Sequence, residues 1–244
     1  MRAGTDARIV ATMTKINVQT TSPSAPRSAA APSSPDPWAR AFAAIYEPSL
    51  WIGELTGMRG RRKELLRHAR GRTVELGSGT GLNLAHYPED LEELILTEPE
   101  APMRKRLARK VRRRGRDAQV IGAPAERLPF DDDSVDTVVS TLVLCTVDSP
   151  DVALREIARV LRPDGQLLFI EHVRSESPRL AAWQDRLAGP WQRFAEGCRC
   201  NRATVELIQA RGLEVDRLAH AKWRAVPAIV KPLVTGRARH RGDK

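Results

Sequence analysis

Val74-Glu75-Leu76-Gly77-Ser78-Gly79-Thr80-Gly81 decides the fold. A short apolar strand that ends in three alternating glycines and feeds a helix, expected at residues 82–87, needs backbone that turns sharply and comes close to a ligand, which glycine permits. A dinucleotide loop would place its last Gly or Ala at position 82; Leu82 stands there and the third glycine comes one place early, which disfavours NAD.

Outward from this loop, short β-branched or leucine-rich runs alternate with helical stretches, the pattern of βαβ units around a mainly parallel sheet. Strands are expected at 73–76, 93–97, 118–121, 135–144, 166–173, 214–220 and 225–234. Helices are expected at 48–68, 99–114, 149–161, 178–195 and 201–211, and Pro163-Asp164-Gly165 is read as a turn before the fifth strand. Upstream, residues 20–37 are almost wholly Thr, Ser, Ala and Pro, so residues 1–36 form a disordered tail that cannot offset its own ordering entropy. Order begins with a helix at 38–46, and residues 37–244 form one domain.

The loop spacing Glu75-x-Gly77-x-Gly79-x-Gly81 resembles that of the S-adenosylmethionine-dependent methyltransferases of the Rossmann-like class. Three further stretches carry the likeness. Glu98 ends the second strand, 17 residues after Gly81, where an acidic side chain can accept hydrogen bonds from both ribose hydroxyls. Residues 125–136 (AERLPFDDDSVD) and 155–165 (REIARVLRPDG) match the family's later motifs. The resemblance implies a doubly wound α/β fold with a seven-stranded sheet whose last strand is antiparallel, and S-adenosyl-L-methionine as cofactor. It places Glu75, Gly77, Ser78, Gly79, Gly81 and Glu98 at the donor, Met103 against the adenine ring, Ala125 and Glu126 at the adenine edge, and Thr141 and Leu142 beside the methionine moiety. Pro124 departs from the family, standing where many members carry an Asp for the adenine amino group.

Residues 140–147 (STLVLCTV), Glu171-His172-Val173 and Glu196-Gly197-Cys198 further resemble the alkyl thiol methyltransferases. That likeness implies methyl transfer to a small lipophilic acceptor, a thiol first. The alternatives are a phospholipid headgroup nitrogen, a quinone-type carbon or oxygen, or, in a different class, a noncatalytic RNA- or membrane-binding module on the same fold. His172, at the C-terminal end of the fifth strand where open α/β sheets bind ligands, is the candidate base, with Glu171 beside it.

The remaining signals bound this reading. The net charge of +10 is concentrated between Arg104 and Arg116, which hold nine basic residues and no acid. Met103, Leu107, Ala108 and Val111 fall at helical spacing, so that helix packs on the sheet and turns its charge outward. Its basic face suits a weak contact with an anionic membrane surface, and the lack of interleaved aromatics argues against nucleic acid. Three cysteines, Cys145, Cys198 and Cys200, give neither a disulfide framework nor four zinc ligands and suit a reducing, cytoplasmic setting. The longest apolar runs, interrupted by Asp136 and Lys231, fall short of the ~20 residues that span a bilayer. Trp183, Leu187, Trp191 and Phe194 recur at helical spacing, as core packing or as walls of an acceptor pocket.

Overall fold

A computed structural model describes residues 53–195 and 197–241. The tail at 1–36, the helix at 38–46, the start of the domain at 37 and Glu196 lie outside the described residues. A kinked helical turn, Glu54–Met58, with Gly57 at φ +133°, leads into α1 (Arg59–Leu66). The remaining helices are α2 (Ala101–Arg114), α3 (Pro150–Val160), α4 (Pro178–Phe194) and α5 (Thr204–Ala210).

Seven strands form one sheet in the order β3-β2-β1-β4-β5-β7-β6. They are β1 (Arg72–Leu76), β2 (Glu93–Thr97), β3 (Gln119–Ile121), β4 (Val135–Thr141), β5 (Leu161–His172), β6 (Leu213–Lys222) and β7 (Pro232–His240). The first five run parallel, and β7 is antiparallel to both of its neighbours. The expected sheet and its reversed last strand are therefore present. Strand order reverses at β1, flanked by β2 and β4, and a switch point of this kind opens a crevice at the carboxyl ends of the strands.

The central strands are buried on both faces, as parallel strands covered by helices must be. Against one face, α1 and α2 pack over Leu94, Leu96, Val139, Leu168 and Ile170. Against the other, α3 and α5 cover Val74, Leu76, Val138, Leu167 and Phe169. In α2 the apolar positions Met103, Leu107 and Val111 are buried, and the helix stops at Gly115, left-handed at φ +60°.

Four sequence expectations give way to local chemistry. Residues 82–87 form turns and no helix: the His86 N–H bonds the Asn83 carbonyl three residues back, and the Asn83 side chain is occupied elsewhere in the core. β4 stops at Thr141 and not at Leu144, because the chain swings out at Leu142, a non-glycine residue at φ +61°. Pro163-Asp164-Gly165 lies inside β5 as a bulge: Val135 pairs with Leu161 and Thr137 with Gln166, so the strand begins earlier and loops out the turn residues. The last strand starts at Pro232, not at 225. The apolar run before it folds instead as a short helical turn, Ala228–Val230, that buries Ile229 and Val230 against the cysteines.

Candidate active site

The site is built on the turn after β1. Gly77, Gly79 and Gly81 have φ of +50°, +56° and +80°, values that L side chains rarely adopt. A Cβ at Gly77 would lie 2.9 Å from Val143, and one at Gly81 2.8 Å from Leu107, so the loop is bare backbone pressed against the turn after β4 and against α2. The Ser78 N–H donates to the Thr97 carbonyl at 2.8 Å, tying this turn to the end of β2.

Beneath the loop runs a buried polar chain that the sequence did not reveal. The Glu75 carboxylate accepts from Asn83 Nδ2 at 2.9 Å and from the Tyr87 hydroxyl at 2.8 Å. Asn83 Nδ2 also reaches Thr141 Oγ1 at 3.1 Å, while its oxygen accepts from Arg62 at 2.8 Å; Arg62 in turn pairs with Glu54 at 3.1 Å. Burial pushes Glu75 up to about 7 even though both partners hold it down. With both oxygens engaged, Glu75 braces the loop from below. The one signal available in sequence was Asn83, a poor helix former in the middle of an expected helix.

Glu98 stands beside the loop. Its carboxylate accepts from the Gly79 N–H at 2.7 Å and the Glu100 N–H at 2.8 Å, and burial raises its pKa. Each carboxylate oxygen keeps a further lone pair for a hydroxyl donor. Arg104 donates to the Glu98 carbonyl at 2.8 Å and the Pro99 carbonyl at 2.7 Å, so this residue of the basic run is spent on holding the β2–α2 turn. Met103 and Ala125 are buried, and Glu126 is half-buried and accepts from the Ser149 N–H at 3.4 Å. Thr141 and Leu142 close the crevice at the end of β4, where the Leu142 N–H donates to the Ile170 carbonyl at 2.8 Å.

At the end of β5 the two titratable neighbours face opposite ways, as the period of a strand requires. Glu171 is fully buried and accepts four hydrogen bonds: from Ser140 Oγ at 2.7 Å and from the N–H groups of Val143, Leu144 and Cys145 at 3.0, 3.1 and 3.1 Å. It caps the turn after β4, with Oε1 taking three of these bonds and Oε2 one, so its carboxylate is held inside the fold. Arg202 grips the same turn from outside through the carbonyls of Leu144 and Val147 at 2.5 and 2.7 Å. His172 is 4% exposed and stacks on Trp223 with ring centroids 5.7 Å apart. Burial pushes its pKa down to about 4, against the opposing pull of backbone at Val230 and Pro232, and its Nδ1 has no hydrogen-bond partner among the described residues.

Beyond them lies a small apolar cluster: Cys145, Cys198, Cys200, Ile229 and Val230, with Leu142, Leu187, Trp191 and Val226 packed against it. All three cysteines are free thiols. The Cys145 and Cys198 thiols hydrogen-bond to each other, which holds Cys198 down and, with burial, pushes Cys145 well up. Helix α4 covers this end, fastened by Gln184, whose amide faces the carbonyls of Val173, Cys200 and Ile229 at 3.1, 2.9 and 2.9 Å. The four large side chains of α4 split: Leu187 and Trp191 pack inward, whereas Trp183 and Phe194 are 55% and 60% exposed.

The parts fit an adenosyl sulfonium donor. A bare glycine turn offers close backbone approach, a carboxylate with free lone pairs lies beside it, and buried apolar Met103 and Ala125 lie on the elements that follow. Among the described residues no group of three or more His, Cys, Asp or Glu could hold a metal ion. Nor is any helix among them long and apolar enough to cross a membrane.

Comparison with known proteins gives the same answer. A family described as a methyltransferase domain matches residues 74–169. The thiol S-methyltransferase TMT1B of Homo sapiens is 35% identical over 175 residues, which are 66% of this chain and 71% of that protein. The phosphatidylethanolamine N-methyltransferase of Cereibacter sphaeroides is 31% identical over 148 residues, 59% of this chain and 71% of the relative. In fold, the chain resembles a Thermotoga maritima SAM-dependent methyltransferase, described as a possible histamine N-methyltransferase, with a TM-score of 0.62 at 22% identity over 83% of this chain and 97% of that one.

Proposed function

The chain belongs to the class I S-adenosylmethionine-dependent methyltransferases and takes S-adenosylmethionine as its methyl donor, and from that premise we propose that it methylates the sulfur of a small lipophilic thiol. When bound, the donor supplies an electrophilic methyl group on a sulfonium centre. The backbone of Gly77, Ser78, Gly79 and Gly81 approaches the donor closely, and Glu75 keeps that backbone in place. Glu98 accepts the ribose hydroxyls, Met103, Ala125 and Glu126 frame the adenine, and Thr141 and Leu142 flank the methionine part. Alignment of donor and nucleophile supplies most of the acceleration in such a reaction, since the methyl group is already activated.

The observation that carries the thiol reading is the state of the two titratable groups at the end of β5. Glu171 is committed to four donors, and His172 is a neutral imidazole whose pKa near 4 makes it a weak base at pH 7. A thiol with an ordinary pKa of about 8.5 is already a few per cent thiolate and needs little help, whereas an ammonium headgroup must first lose a proton. The apolar side chains Leu142, Leu187, Trp191 and Val226 suit a lipophilic body behind that sulfur. His172 therefore serves this reading by orienting the pocket wall through Trp223.

The test is mass-spectrometric detection of a methyl increment when the full chain is given S-adenosylmethionine with alkyl and aryl thiols, phosphatidylethanolamine vesicles and a quinol. Methylated thiol, lost with Glu98→Ala, is the expected result. Methylated phosphatidylethanolamine or quinol with untouched thiols would replace the acceptor and leave the donor site standing.

A further inference from the structure

Helix α4 carries a surface that methyl transfer does not explain. At about 100° per residue, Trp183, Leu187, Pro190 and Phe194 share one row along it. Arg179, Arg186 and Arg193, each seven residues apart, form the row beside it. The three arginines are exposed, and none of them forms an ion pair among the described residues; the one acid of the helix, Asp185, is held by Arg174 and Asn201. The Arg186 guanidinium lies 5.8 Å from the centre of the Trp183 ring, and Phe194 tilts against Trp191 at 5.7 Å. Two aromatic rings more than half exposed, flanked by arginines that form no ion pair among the described residues, are costly on a surface left to water.

We propose that α4 is an interfacial docking helix that lies on an anionic phospholipid surface, with Trp183, Pro190 and Phe194 entering the headgroup region and Arg179, Arg186 and Arg193 on lipid phosphates. Aromatic rings with an apolar body prefer that interface, and arginines beside them gain from phosphate and from anionic surface potential. Charge decides between occupants. A second copy of this chain would bring the same arginine row against itself with no acid to meet it. A nucleic acid would take the arginines but gains little from Pro190, the aliphatic part of the exposed row. Because α4 also packs on the apolar cluster at the end of β5, docking would set that end of the molecule toward the bilayer. The surface is separate from the basic face of α2, which carries the densest charge but buries its apolar residues.

Flotation of the full chain with vesicles of phosphatidylcholine, with and without phosphatidylglycerol and free of phosphatidylethanolamine, tests this apart from any acceptor chemistry. Binding is expected to be at least about tenfold stronger to the anionic vesicles and to weaken with salt. Replacing Arg179, Arg186 and Arg193 with Gln should cost about fivefold per residue, and Trp183→Ala with Phe194→Ala should abolish the remainder, with donor affinity unchanged as the sign of an intact fold. Brominated lipid should quench a tryptophan signal that Trp183→Phe removes. The proposal fails if anionic lipid gives no preference. It also fails if Lys105→Gln, Arg109→Gln and Arg113→Gln remove the binding while the α4 variants keep it, or if the α4 rows mediate dimers or bind an RNA homopolymer in place of vesicles.

Discussion

The two ends of the crevice are built on opposite principles. Around the glycine turn, Glu54, Arg62, Asn83, Tyr87, Glu75 and Thr141 form one unbroken run of hydrogen bonds, and Glu98 is fixed by two backbone donors. Around the end of β5, the His172 Nδ1, Trp191 Nε1 and Trp223 Nε1 are buried without a hydrogen-bond partner among the described residues. The glycine turn keeps one such atom, the Thr80 hydroxyl, whereas the end of β5 gathers the other three, and the less a buried network is satisfied the more geometries it leaves open. The donor is the same molecule in every turnover of every family member, so its end can be fixed. The acceptor end is held by aromatic packing and thiols, which reshape with few substitutions.

Glu171 joins the two ends, and removing it should have the largest effect. Glu171→Ala strands Ser140 and three backbone N–H groups in the core, and a loss of about 3–5 kcal/mol in urea unfolding is expected; a loss below about 1 kcal/mol would mean the turn after β4 has another anchor. Next comes His172, through pH. Its lowered pKa contributes stability that is present above pH 6.5 and lost as pH falls from 6.5 through 4, by up to about 3 kcal/mol. His172→Phe should flatten that slope while changing stability little at pH 7. The donor end carries the opposite sign: Glu75, raised to about 7, favours the folded state most below pH 4.5 and loses that advantage as pH rises through 7. Glu75→Gln should therefore steepen the acid loss that His172→Phe relieves, and equal slopes for both variants would break the contrast.

Smaller effects sharpen it. Glu98→Ala should weaken donor binding by about 1–3 kcal/mol in calorimetric titration, with little change in unfolding, because its partners are two N–H groups at the crevice edge. Tyr87→Phe should cost about 1–2 kcal/mol of stability by leaving one Glu75 oxygen unpaired. A neutral Tyr87→Phe would show that the donor-end network is less tightly set than its distances imply.

Legibility followed the same divide. β2 was read to the residue, and the glycine spacing, Glu98 and the buried face of α2 were all visible, because each depends on local pattern or on backbone that only glycine can supply. What was missed depends on distant partners. Arg62 reads as one more exposed helix cation until Asn83 and Glu54 are brought to it. Glu171 and His172 look equivalent in sequence, and only strand register separates a capping carboxylate from a ring stacked on Trp223. The apolar run before β7 suggested a strand, but its burial is against cysteines from other segments. The strand itself, Pro232–His240, hides its pattern because Gly236 must pass close to Phe169 and its alternate positions are arginines.

The placement of β7 also sets an order of assembly. It is the last strand among the described residues, yet it lies between β5 and β6 and pairs with both, from Leu167 to His172 on one side and from Leu213 to Lys222 on the other. Until residue 240 is available, β6 has no partner in the sheet and β5 presents an open edge with Phe169 and Ile170 behind it. During synthesis the donor half can close on local βαβ contacts, while the far half waits on the final strand with its long loop-closure distance. Cleavage within 232–240 should therefore expose two strand edges at once, and aggregation through those edges, not gradual fraying, is the failure that this topology invites.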